Sequence, residues 1–141
     1  MYERLTAFLP RLELEKCGEW IIDKKNDGSP EHPIQFPYVN YDRIIDEFVD
    51  NVYCFIRENP EMDMKDYNEI LEQSNIQWSS DSMVNANEAF LDGKTVVALI
   101  FGAIRAERFC DGALMEFCEN GCIQKWLKRL KVIDDLEKVA R

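Results

Sequence analysis

Apolar positions recur at helical spacing through most of the chain. Tyr2, Leu5, Phe8 and Leu9 give that spacing before Pro10, and Leu12 to Cys17 can continue it as far as Gly18, a natural helix stop. The clearest pattern runs from Asn40 to about Glu58. It places Tyr41, Ile44, Ile45, Phe48, Val49, Val52, Tyr53 and Ile56 on one stripe, the signature of an amphipathic helix. Asn40 is the expected cap and Asn59-Pro60 the end, because proline disfavours helix at the residue before it. Asp63 is the expected cap of a helix from Met64 to roughly Gln73, and Asp81 of one from Ser82 to Leu91. Lys94 to Phe109 is apolar without a polar face until Arg105. Its length favours a helix over a buried strand, and Gly102 would let a neighbour approach closely. Asp111 is the expected cap of Ala113 to Glu119, with Asn120-Gly121 as a left-handed stop. Ile123 to about Val132 reads as a last helix, and Ile133 to Arg141 extends or follows it.

The period changes in the first third. Trp20-Ile21-Ile22 is β-prone, Asn26 to Pro30 carries turn signals, and Pro33 and Pro37 favour extended backbone before them. The pattern predicts a hairpin of Trp20 to Asp23 against Ile34 to Val39. The expected fold is mostly α: a single-domain helical bundle of five to seven helices with a small β-hairpin. Within one domain spanning 1–141, the hairpin and its long loop occupy about 19–40 and the helical core about 41–132.

Charge divides the chain. The 141 residues carry 27 acids and 17 bases, a formal net charge of −10. Residues 1–90 hold 19 of the acids and 8 of the bases, while residues 91–141 are nearly neutral. An acidic front two-thirds repels nucleic acid and anionic lipid and suits a basic partner. The longest uncharged apolar run, Val96 to Ile104, is nine residues, against about 20 for a membrane span. The opening residues lack the pattern of a secretory signal. Five cysteines at no framework spacing then point to reduced thiols and a cytoplasmic location.

Candidate chemistry is sparse. Cys110, Cys118 and Cys122 cluster near the C-terminus, but zinc needs four ligands and the lone histidine, His32, lies far off in a proline-rich loop. A Cys110/His32 pair has no motif around it, so buried free thiols are expected. No phosphate-binding loop, dinucleotide fingerprint, zinc-protease or hydrolase motif is present, and no metal or cofactor is expected. Asp42, Asp46 and Asp50 recur at i, i+4, i+8 with Glu47 beside them, the pattern of a solvated acidic helix face. Arg105, Glu107, Arg108 and Asp111 bring charge back where the apolar helix ends. They form either an ion-pair cluster locking the next helix or an anion pocket at its N-terminus. Gly112 to Leu130 resembles a helix-turn-helix, with Lys125, Lys128, Arg129 and Lys131 as a basic face.

Beyond these features, several segments carry a resemblance. They are Glu107-Arg108-Phe109-Cys110-Asp111-Gly112, Glu119-Asn120-Gly121 and Leu127-Lys128-Arg129-Leu130. Upstream, Gly18-Glu19-Trp20 and Pro37-Tyr38-Val39-Asn40-Tyr41 lead into Glu47-Phe48. Together they resemble an uncharacterised family of small bacterial and phage-associated proteins with an E-R-F-x-D-G … G … L-x-R-L C-terminal signature. The resemblance implies a bacterial or phage source and a soluble single domain, and no particular activity.

The expectation is therefore a non-enzymatic protein–protein interaction module with a protein partner. Its candidate surfaces are the acidic row Asp42, Asp46, Glu47 and Asp50 and the aromatic loop residues Trp20, Phe36 and Tyr38. A nucleic-acid-binding protein using the C-terminal helix pair is the first alternative. A small enzyme or anion site around Arg105, Glu107, Arg108 and Asp111 is the second.

Overall fold

The computed structural model describes residues 1–22, 28–31 and 38–140. Two short helices open the chain, α1 (Glu3–Thr6) and α2 (Leu9–Leu14), broken at Ala7-Phe8. A hairpin of β1 (Gly18–Ile21) and β2 (Tyr38–Tyr41) leads into α3 (Arg43–Glu58). The single turns Pro60–Met62 and Met64–Asp66 precede α4 (Tyr67–Gln73), and α5 (Ser80–Val84) and the turn Glu88–Phe90 follow. Then come α6 (Gly93–Ala106), α7 (Ala113–Glu119) and α8 (Cys122–Ala140). The fold is mostly α with a small antiparallel hairpin, as the periodicity predicts. Counting α1 and α2 as one interrupted helix gives seven helices among the described residues.

Helix α6 is the centre. Every residue from Thr95 to Ile104 is buried, and α4, α7 and α8 pack around it. Asp92 starts it, its Oδ1 accepting the Thr95 N–H at 2.9 Å, a side-chain cap on an otherwise orphaned donor. Gly102 admits the close approach expected of it. Trp78 Nε1 donates to the Gly102 carbonyl at 2.9 Å, and a Cβ there would stand 3.3 Å from Met83. One continuous apolar cluster joins Leu5 of α1, Phe48 and Val52 of α3, and Trp126 and Leu127 of α8 to this helix. The Tyr2 N–H donates to buried Asp134 at 2.9 Å, which fixes the start of α1 on α8.

Several boundaries differ from the sequence expectation. The hairpin pairs Gly18 with Tyr41 and Ile21 with Tyr38, further from the prolines than expected. Ile34 to Pro37 lie outside the described residues, as do Asp23, His32 and Phe36. Helix α3 begins after Asp42, because Asn40 and Tyr41 are in the strand. Asp63 adopts a left-handed conformation (φ 53°) and makes no side-chain cap. Ser79, not Asp81, caps α5, which ends at Val84. Helix α6 stops at Ala106 instead of Phe109. The C-terminal segment is one helix as far as Ala140, because Ile133 continues the buried stripe of Leu127 and Leu130.

Candidate functional site

The junction between α6 and α7 organises one side of the molecule. Glu107, just past the end of α6, accepts two bonds from the Gly112 N–H, at 2.7 and 3.0 Å. It also accepts the Tyr41 hydroxyl, and that hydroxyl in turn accepts the Met115 N–H at 3.1 Å. Strand β2 and the end of α6 thus jointly cap α7. Asp111, the expected cap, is exposed and makes no cap. Gly112 occupies that position at φ 89°, a conformation glycine adopts without a Cβ penalty. The Trp20 indole of β1 lies directly on Gly112, in the space a Cβ would fill. Burial first, then the Glu107 carboxylate, pushes the Tyr41 phenol far above its ordinary pKa, so it stays a neutral donor.

The four charged residues expected to cluster here go separate ways. Among the described residues no ion pair joins Arg105, Glu107, Arg108 and Asp111. Arg105 faces the Tyr53 and Tyr67 hydroxyls, and the Tyr53 hydrogen bond above all holds its guanidinium in the charged form. Arg108 and Asp111 are exposed. Glu107 holds the start of the following helix through a phenol and a backbone N–H, and not through arginine. Next to it an aromatic series runs Tyr53, Phe101, Tyr67, Trp78, Phe109 in edge-on contacts and ends at exposed Phe109.

The basic face is largely occupied by the chain itself. Lys125 reaches Glu88 at 3.6 Å and the Val84 carbonyl at 3.4 Å. Lys128 pairs with Glu13 at 3.0 Å, and Arg129 Nε donates to the Leu91 carbonyl at 3.2 Å. Lys131 stands in a cavity with Glu3 and Glu13. Cys122 and Ile123, which open α8, are buried. A recognition helix needs its first turns free to enter a groove, and these are packed inside.

The acidic row is different. Glu47 is neutralised by Arg11 and Arg43, each at 3.2 Å. Asp46 and Asp50 are exposed and have no cation partner among the described residues. They rim a cavity of about 370 Å³ between α3, α6 and α7. Its floor is Ile45, Val49, Ile104 and Leu114, and Tyr41 and Glu107 close one end. The helical period produces this: Ile45 and Val49 form one row along α3, continued by Tyr41 at the end of β2, and Asp46 and Asp50 form the adjacent row after the N-cap Asp42. Asp42 itself lies over the neighbouring cavity at the hairpin base. Trp20 and Tyr38 of the hairpin are each about two-fifths exposed.

All five cysteines are free thiols. Cys110, Cys118 and Cys122 do not converge, and among the described residues no three His, Cys, Asp or Glu side chains are placed to hold a metal. No helix among those residues is long and apolar enough to cross a membrane. Sequence reasoning missed the meeting of Cys17 with Cys118 and the part played by Tyr41. Neither has a local signal, because each partner is remote in the chain.

The molecule is thus a mostly-α protein whose hairpin caps a helix junction beside an acid-rimmed groove. It belongs to the family of unknown function DUF6508, whose model matches residues 1–135. No curated protein and no solved structure matches the chain.

Proposed function

We propose that this protein is a non-enzymatic interaction module whose α3–α6–α7 groove receives a basic segment of a protein partner. The observation that carries the reading is the unpaired Asp46–Asp50 rim over an apolar floor. Like charges at i, i+4 destabilise a helix by a few tenths of a kcal/mol. The dipole at the N-terminus of α3 compensates Asp42 and Asp46 but fades after the first turn, which leaves Asp50 uncompensated. A row kept against helix stability suits a lysine- or arginine-bearing segment whose apolar stems lie on Ile45, Val49 and Leu114. Acidic surfaces also speed encounter with basic partners. Lys125, Lys128 and Arg129 of the basic face of α8 already have partners within the chain, which favours this reading over nucleic acid.

The test uses a synthetic amphipathic peptide of lysine and leucine, titrated calorimetrically against the wild type and D46K/D50K. The expected result is salt-sensitive binding to wild type, weakened at least tenfold in the variant at unchanged melting temperature. Equal binding by both would remove the groove from consideration. Recovery of nucleic acid instead of protein by tagged wild type from a bacterial lysate, abolished by nuclease, would return attention to α8.

A further inference from the structure

Cys17 and Cys118 come from opposite ends of the chain and meet in one cleft. Cys17 immediately precedes β1, and Cys118 lies in the last turn of α7. Both are buried, and both line an open cavity of about 370 Å³ with Leu12, Lys16, Met115 and Gln124. Three hydrogen bonds to backbone carbonyls hold the segments that bear them in place. The Gln124 amide donates to the Leu12 carbonyl at 3.2 Å and to the Cys118 carbonyl at 3.4 Å. The Asp42 N–H donates to the Cys17 carbonyl at 2.8 Å. The segments bearing the two thiols are therefore fixed relative to each other before any bond forms between them.

We propose that Cys17 and Cys118 are a redox pair that closes to an intramolecular disulfide on exposure to hydrogen peroxide. The two thiols line the same cavity and influence each other's ionisation. Their proximity lowers the Cys17 pKa and, with burial, raises that of Cys118, so Cys17 ionises the more readily of the two. Thiolates, not thiols, attack. Cys17 sulfur attacks one peroxide oxygen, the O–O bond breaks, and the departing hydroxide takes up a proton as water. The resulting sulfenic acid is attacked by Cys118 sulfur, which gains thiolate character as its proton passes to the departing oxygen. The S–O bond breaks, and the leaving hydroxide combines with the Cys118 proton as a second water. Two thiols and one peroxide become one disulfide and two waters; the sulfurs together lose two electrons, which the peroxide gains. A dithiol reductant reverses it by exchange.

The other cysteines lack this arrangement. Cys54 accepts from Arg57 Nη2 at 3.1 Å, Cys122 is buried with its thiol pushed up by burial, and Cys110 is exposed without a neighbouring thiol. The bond would tie the entry of the hairpin to the end of α7 and close most of the chain into one loop. Long loops are where a cross-link restricts the unfolded chain most.

The test treats the full chain with hydrogen peroxide, alkylates free thiols and maps peptides under non-reducing conditions. The expected product is a linked Cys17–Cys118 peptide in a monomer about 2 Da lighter than the reduced chain. It should melt about 5 °C or more higher, and dithiothreitol should reverse the shift. C110S should give the same product, and C17S or C118S should not. Because either single variant can fail to fold, the mapping in C110S decides independently. Alkylation of both Cys17 and Cys118 after oxidation, or their separate conversion to sulfinic acids, overturns the proposal.

Discussion

Gly112 carries two constraints that no other residue type satisfies together. Its φ of 89° is left-handed, and the Trp20 ring occupies the place of a side chain. Alanine there meets the left-handed penalty of about 1–2 kcal/mol and must also displace an indole. Gly112→Ala is expected to cost about 2–4 kcal/mol, read as a lower urea midpoint, and to increase Trp20 exposure by fluorescence. Tyr41→Phe isolates the other half of the junction. It removes a hydroxyl that donates to Glu107 and accepts from Met115, and leaves the Met115 N–H without its partner. A loss of about 1–3 kcal/mol is expected, the range for an unsatisfied buried group. Wild-type stability in Tyr41→Phe would mean that the cap on α7 comes from Glu107 alone.

At the scale of elements, α3 and α6 differ in what their polar positions do. Asp92 makes a cap bond to Thr95, so Asp92→Ala should lower stability by about 1 kcal/mol. Asp46 and Asp50 touch no cation among the described residues, so D46N/D50N should leave the melting temperature unchanged or raise it slightly by relieving repulsion. A large loss in that double variant would assign them a structural partner. The same contrast explains what the sequence disclosed. The α3 stripe and the apolar run of α6 were legible because local spacing determines them. The hairpin register was not. It depends on the close approach of Gly18 to its partner strand, where a Cβ would lie 2.6 Å from the Asn40 carbonyl oxygen and 2.9 Å from Tyr41 Cα. Asp111 has the local signature of a cap, yet Glu107 and Tyr41 satisfy the same donors from outside α7. The acidic row was visible as a face, but the groove behind it needed Ile104 and Leu114 from other helices. Long-range pairings of this kind leave no periodic trace.

For the molecule as a whole, two phenols join the buried thiols of Cys118 and Cys122, whose pKa values burial also raises, in setting its response to alkali. Tyr2 is buried against α3, its ring 5.7 Å from that of Phe55 and its hydroxyl over Gly93. Burial, followed by the charge of Asp134, raises its pKa to about 12 from the ordinary 10. Tyr41 is raised further, by burial and then Glu107. Both must stay protonated in the folded state but lose their protons near pH 10 once unfolded. The unfolded chain therefore binds fewer protons above pH 10, and stability falls as pH rises. The contribution is complete below pH 10 and is lost progressively through pH 12, at up to about 1.4 kcal/mol per pH unit for each phenol. Urea midpoints measured from pH 8 to 12 should begin to fall near pH 9, where the unfolded thiols ionise, and drop more steeply above about pH 10. Tyr2→Phe should remove part of that slope between pH 10 and 12, because Tyr41 and the two thiols supply the rest. An unchanged slope in Tyr2→Phe would mean that Tyr2 ionises alike in both states, and so that the junction of α1 with α3 and α6 opens before the molecule unfolds.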